Sequence, residues 1–312
     1  MIAVAAPPAE RGLPASPALP SFLPLNPADR DRPRQRARPL LGTLVSIRID
    51  ACERNIEAAF ARAFDAVAAI QACMSFHDAG SELSRLNREA AAEPQRVGRH
   101  LWRVLRASLA LARASDGLFD PTTAARLVRS GFLPAPAAGI DVDPAATWRD
   151  VELLPGRRVR YRAPLWLDFG GIAKGYVVDC AVAALRASGV HAGNVNAGGD
   201  LRVFGATSEV IRVRAANDPS REFPLLSLRE GAVATSAGYF SVRDGQTPLI
   251  DTRDGRSLGL DASVSVCAPR AIWADALTKV VFADPAVAAR LLPRLRAQAV
   301  LCDAGGRIRT FG

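Results

Sequence analysis

Residues 167–205, LDFGGIAKGYVVDCAVAALRASGVHAGNVNAGGDLRVFG, decide how the rest of the chain is read. A short apolar strand runs into Gly170-Gly171 and Lys174, an amphipathic helix follows as far as Gly189, and the stretch closes on Gly198-Gly199-Asp200. Glycine lets backbone amides approach a ligand that a Cβ would hold off, and it reaches positive φ without strain. Placed before a helix, such a bend aims unpaired N–H groups at whatever sits there, usually an anion. Lys174 adds a compact charge at the same point. Nothing in the stretch resembles a nucleophile, so it reads as a holder for a phosphorylated ligand.

Outward from this unit, helical and strand patterns are mixed rather than strictly alternating. Apolar residues at 56, 60, 64, 67, 70 and 74 mark a helix over 55–74, and further helices are expected over 101–114, 273–283 and 285–297. Val45, Ile47 and Ile49 share one face of a strand that follows a glycine turn. A strand is expected over 159–167, with shorter ones near 200–204, 209–214, 232–235, 248–251 and 263–267. This order predicts an α+β fold, mixed sheets with packed helices, rather than a doubly wound α/β sheet. Residues 1–36 are rich in Pro, Ala and Arg without periodicity and read as a disordered leader. The folded domain is then expected over 37–312.

The formal net charge is +9, an excess that concentrates anions of any kind near the surface. Of 40 Lys+Arg, only Lys174 and Lys279 are lysine, and both fall in segments that look like sites. Lysine is a compact ammonium that enters narrow places where the arginine fork does not fit. The cluster RDRPRQRAR, residues 30–38, reads as a solvated flexible arm. No nucleic-acid-binding module or interleaved aromatic pattern accompanies it, so nucleic acid is not the expected partner. Five cysteines without CxxC spacing indicate neither a disulfide framework nor a zinc site. The leader lacks the charge and apolar core of a secretory signal, and no apolar run is long enough to span a bilayer. The expectation is a soluble protein, cytoplasmic as written.

Five further motifs carry candidate chemistry. MSFHDAGSELSRLN, residues 74–87, leaves the first helix with Phe76 aimed into a pocket beside His77, and Ser81 caps a short helix. SDGLFDPTTA, residues 115–124, offers either a turn with a buried Phe119 or a wall for a ring system. GAVATSAGYFSV, residues 231–242, sets the Thr235 and Ser236 hydroxyls beside a glycine turn, to bond a phosphate or to cap. PLIDTRDGRSL, residues 248–258, reads as a hairpin. In IWADALTKVVF, residues 272–282, Asp275 faces Thr278 and Lys279 at helical offsets of three and four. That pattern suits a hard cation such as Mg²⁺, or equally an i,i+4 ion pair.

Taken in order, PLLGT, MSFHDAGSELSRLN, SDGLFDPT, LDFGGIAKGYVVD, NVNAGGDLRVFG, ATSAGY and ADALTK resemble the ApbE family, the FAD:protein FMN transferases. The resemblance spans roughly residues 38 to 311. It implies an enzyme that binds FAD and Mg²⁺, cleaves the flavin diphosphate, attaches FMN to a threonine of a partner protein and releases AMP. The resemblance implies a flavin-carrying redox protein as partner, including a membrane-associated one, and an alternative localisation, periplasmic or inner-membrane-associated as in many family members. By motif, Leu41, Phe76, Leu118, Phe119, Asp120, Asp168 and Lys174 would line the FAD site. The carbonyl of Gly171 and the side chain of Asp275 would hold the metal.

Two positions depart from the family pattern. The threonine expected four residues after the metal aspartate is Lys279 here, with Thr278 one position earlier. Either Thr278 substitutes as a ligand or the Lys279 ammonium occupies the metal position. The histidine of the family's HxxDPxTG turn corresponds to Pro248, and its Pro and Thr to Thr252 and Asp254. A proline relays no proton, so Asp251 becomes the candidate base beside Lys174 among the catalytic residues. The alternative reading is a non-catalytic FAD-binding protein.

Overall fold

A computed structural model describes residues 34–52, 55–136, 141–214, 222–238, 242–303 and 305–312. The principal sheet has eight strands: β1 (Arg34–Leu40), β2 (Thr43–Cys52), β3 (Val190–Ala197), β4 (Asp200–Phe204), β5 (Gly231–Ala237), β6 (Ser263–Ala268), β7 (Gln298–Cys302) and β8 (Ile308–Phe311). They lie side by side in chain order, each antiparallel to its neighbours. Helices enter between strands, and the α+β expectation holds. On β2 the alternation works as read: Val45, Ile47 and Ile49 are buried while the residues between them are partly exposed. The sheet starts three residues before the expected boundary, because β1 takes Arg34 to Arg38 out of the anticipated arm. There the Arg36 and Arg38 guanidiniums lie over the Phe60 and Phe64 rings, at 5.5 and 4.6 Å from their centroids.

The helices are α1 (Ile56–Met74), α2 (Glu82–Glu89), α3 (Arg99–Ala114), α4 (Ala124–Arg129), α5 (Ala173–Ala187), α6 (Ala271–Ala283) and α7 (Pro285–Leu291). Capping chemistry sets several starts: Asn55 accepts from the Glu57 and Ala58 amides, Ser81 from Ser84, and Asp284 from Ala286 and Val287. α5 ends at Ala187, and Gly189 follows at φ 81°. The helix expected over 285–297 stops at Leu291 and gives way to a 3₁₀ turn, since Pro293 has no N–H to continue the ladder.

One element next to the site differs in kind from its expectation. Only residues 159–161 of the expected 159–167 strand pair in a sheet, within the strand Arg158–Tyr161 of a small three-stranded sheet with Val151–Leu154 and Gln95–Arg96. Beyond Pro164 the chain is extended but unladdered. Its backbone groups are met by a side chain instead: Asn87 on α2 accepts from the Leu167 amide at 2.9 Å and donates to the Leu167 carbonyl at 2.9 Å. The Asp168 amide bonds the Pro121 carbonyl at 2.9 Å. A buried amide side chain thus replaces a neighbouring strand, which apolar periodicity cannot reveal.

Candidate active site

The site grows from the packing of α5 between α1 and α6. Neither α5 nor α6 carries a side-chain cap at its own start. Each borrows one from the other. Asp179 on α5 accepts from the Ala271 and Ile272 amides that begin α6, at 3.0 and 3.2 Å. Asp275 on α6 accepts from the Gly175 amide in the first turn of α5, at 3.0 Å. The exchange requires close approach, and Gly175 permits it: a Cβ there would lie 2.2 Å from the Ala271 carbonyl oxygen. Arg202 from β4 closes the Asp179 side of the clamp.

Two ammoniums stand at this junction. Lys174 pairs with Asp200, the acid that follows the second glycine pair. Gly198 and Gly199, at φ 63° and 99°, make the turn that brings Asp200 there. Lys279 reaches back along α6 to Asp275 Oδ1 at 2.5 Å. Its Nζ also donates to the Asp275 carbonyl at 3.0 Å and to Ser236 Oγ on β5 at 3.3 Å. Asp200 and Asp275 are buried, with side chains 2% and 0% exposed. Burial opposes charge on Lys174, but Asp200 and Asp275 hold its pKa above the usual lysine value. Burial likewise opposes charge on Asp275, and Lys279 and Lys174 outweigh it, leaving this carboxyl below the usual range.

Both lysines line a cavity of about 480 Å³, a volume suited to a small-molecule ligand. Its walls come from separate segments. Leu41 sits in the β1–β2 turn at φ 57°, its amide bonded to Gln71 Oε1 at 2.8 Å. Phe76 and His77 follow α1, and Phe76 is anchored edge-on against Trp166. Leu118, Phe119 and Asp120 come from the turn after α3, where the Phe119 amide bonds Ser115 Oγ at 3.1 Å. Asp168, Gly170 and Gly171 precede α5, and Pro248 and Thr252 also line the cavity. Asp120 and Asp168 are both raised in pKa by burial. Each is partly compensated: Asp120 by Thr122, whose hydroxyl and amide bond it at 2.6 and 2.8 Å, Asp168 by the Gly170 amide at 2.9 Å.

All seven residues expected to contact FAD therefore line one cavity, and Gly171 joins them. Asp275 lies directly behind, joined to it through Lys279. Thr278 does not line the cavity. Its hydroxyl donates to the Asp275 carbonyl at 2.7 Å and bonds Ser236 Oγ at 2.7 Å, so it turns to the helix backbone rather than to the carboxylate. Asp251 does not line the cavity either. Its oxygens bond Arg253 Nε at 3.0 Å and Nη2 at 2.8 Å, and those bonds hold its pKa below the ordinary value, unlike a poised base. The Thr252 hydroxyl pins this hairpin to the Gly117 carbonyl at 2.6 Å, which places Pro248 at the cavity wall. Sequence reasoning missed Asp179 and the pairing of Lys174 with Asp200; both depend on contacts between separate elements.

An apolar and aromatic wall facing two ammoniums and a glycine bend defines a protein built to hold a phosphorylated ligand with a ring system. The ApbE family model matches residues 41–301, and the chain belongs to the ApbE family. It is 30% identical over 286 residues to the FAD:protein FMN transferase of Treponema pallidum (strain Nichols), covering 81% of this chain and 79% of that protein. It is 28% identical over 224 residues to the FAD:protein FMN transferase of Vibrio cholerae, covering 65% and 66%. Among solved structures, the ApbE protein of Thermotoga maritima superposes with a TM-score of 0.77 at 26% identity, over 89% of this chain and 96% of that one. Flavin Transferase ApbE from Vibrio cholerae gives 0.73 at 20% identity, over 90% and 96%, a likeness of fold. Among the described residues no helix is long and apolar enough to cross a membrane.

Proposed function

We propose that this protein transfers FMN from FAD to a threonine hydroxyl of a partner flavoprotein, releasing AMP. The observation that carries the reading is the convergence of Lys174 and Lys279 on a cavity walled by Leu41, Phe76, Leu118 and Phe119. The aromatic and aliphatic side chains would hold the isoalloxazine ring, and the ammoniums and the Gly171 amide would face the diphosphate. The acceptor oxygen attacks the phosphorus of the FMN half. The bond from that phosphorus to the bridging oxygen breaks, its electron pair leaves with AMP, and the hydroxyl proton passes to solvent or to a base. The acceptor fits a redox protein that carries its flavin covalently, including one at a membrane.

The family implies Mg²⁺ at this site. Mg²⁺ demands close, near-octahedral oxygen coordination at about 2.0–2.1 Å. Of the oxygens expected to supply it, the Asp275 carboxylate is already bonded through Oδ1 to Lys279 Nζ, which also donates to the Asp275 carbonyl and Ser236 Oγ, and the Lys279 stem packs against the bend at Gly171. Thr278 is spent elsewhere. These residues do not fit the ion with Lys279 in place, and no step here runs through it.

The test is incubation with FAD and candidate acceptor proteins, followed by AMP assay and intact-protein mass. An FMN mass on an acceptor threonine with equal AMP supports the reading; FAD binding without AMP under every condition sinks it. That second outcome belongs to the alternative, a protein that binds FAD without transferring it. Pro248 at the cavity wall, and Asp251 engaged by Arg253, are the observations that favour it.

A further inference from the structure

We infer that the Lys279 ammonium is a resident cation that takes the place of a divalent metal against the ligand diphosphate. The inference rests on the FAD reading above. Three oxygens of a hard-cation kind, a carboxylate, a backbone carbonyl and a hydroxyl, lie 2.5, 3.0 and 3.3 Å from one nitrogen. An ammonium has three donors, and these three acceptors match them. The nitrogen is fixed from behind as well. A Cβ on Gly171 would lie 3.5 Å from Lys279 Cε, so the lysine stem packs along the glycine bend whose carbonyl was expected to face the metal. The side chain is 19% exposed, and that exposure opens on the cavity. The long bond to Ser236 is the weakest of the three and the one a phosphate oxygen replaces.

Charge accounting supports the substitution. Asp200 and Asp275 bring two negative charges to the junction, and Lys174 and Lys279 two positive. A divalent ion added beside Asp275 would meet an ammonium rather than a free carboxylate. During transfer Lys279 offsets the charge that the breaking P–O bond leaves on the bridging oxygen of AMP.

The experiment measures FAD affinity by flavin fluorescence with the full chain, in chelator and in excess Mg²⁺, for wild type, Lys279→Thr and Lys279→Gln. Mn²⁺ binding in the presence of FAD is followed in parallel by electron paramagnetic resonance, and melting curves confirm that each variant folds. The expected wild-type dissociation constant changes by less than about twofold between chelator and Mg²⁺, with no protein-bound Mn²⁺. Lys279→Thr loses about tenfold in chelator, regains affinity with Mg²⁺, and binds Mn²⁺. Lys279→Gln, which keeps the length without the charge, shows the same loss in chelator. Wild-type binding that collapses in chelator, or one Mn²⁺ held per wild-type chain, overturns the inference and leaves the FAD reading standing. Should Lys279→Thr not fold, the wild-type comparison and Lys279→Gln decide. Absence of FAD binding under every condition overturns both.

Discussion

A carboxylate whose oxygens are already engaged by an arginine makes a weak base and a useful strut, and Asp251 is placed as a strut. Arg253 donates to it through Nε, Nη2 and its own amide, while burial works in the opposite direction. Its folded-state pKa lies below the unfolded value of about 3.9. A depressed carboxylate contributes stability that is full above the unfolded pKa and lost as pH falls through the folded one. Because Arg253 is half exposed, Asp251→Asn should cost only about 1 kcal/mol, or about 2–4 °C at neutral pH. Calorimetry at a series of pH values should show the gap closing below about pH 4; a gap that persists in acid would assign the loss to something other than this ion pair. Three positions earlier, Pro248 lines the cavity with no proton to relay. A well-placed base contributes about 10²–10⁴-fold to a transfer step. Pro248→His should therefore raise FMN transfer at least about tenfold if the acceptor hydroxyl meets this wall. An unchanged rate of AMP release in that variant would place the acceptor elsewhere.

Helices α5 and α6 hold the site because each caps the start of the other. The amides that a helix leaves unpaired at its start are met here by Asp179 and Asp275 from the facing helix, and the same contact sets Lys174 and Lys279 on one cavity. Gly175→Ala strikes at that contact, since the added methyl would lie 2.2 Å from the Ala271 carbonyl oxygen and 2.9 Å from Asp275 Cβ. Overpacking of this kind costs about 1–3 kcal/mol, so urea unfolding should show at least that loss. FAD affinity should fall in the same variant, because the two ammoniums move apart; a destabilised variant with unaltered affinity would show that the clamp serves the fold alone. Three helices around the site are legible in the sequence: α1 from its apolar stripe, α5 from the glycine bend and Gly189, α6 from its apolar faces around Asp275. Phe76, Phe119, Asp168 and Lys174, which the family resemblance named, fall on one cavity, whereas Thr278 and Asp251, named with them, do not line it. What the chain could not disclose locally were partners distant in sequence. Asn87 replaces a strand for Leu167, Asp200 on β4 pairs with Lys174 on α5, and Ser236 bonds both Thr278 and Lys279. Spacing describes one element at a time, and each of these contacts joins two.

At the scale of the whole molecule, the antiparallel sheet runs in chain order while the cavity collects residues from the β1–β2 turn through to α6. A ligand that touches all of these segments at once bridges parts of the chain that unfold together, so its binding free energy should appear as global stability. Binding to the folded state alone adds about 2.7 kcal/mol when free ligand is 100 times its dissociation constant. Near the size of this domain that corresponds to a rise of about 5–11 °C in melting temperature. The net charge of +9 should make the effect salt-dependent, because screening weakens the attraction between a cationic surface and a dianionic diphosphate. We expect FAD to raise the melting temperature by this amount at low salt, less at high salt, and riboflavin, which lacks phosphate, to raise it much less. Differential scanning calorimetry with the two ligands makes the comparison directly. Equal shifts from FAD and riboflavin would mean that the ring alone is bound, and that Lys174 and Lys279 hold the helices together without holding a diphosphate.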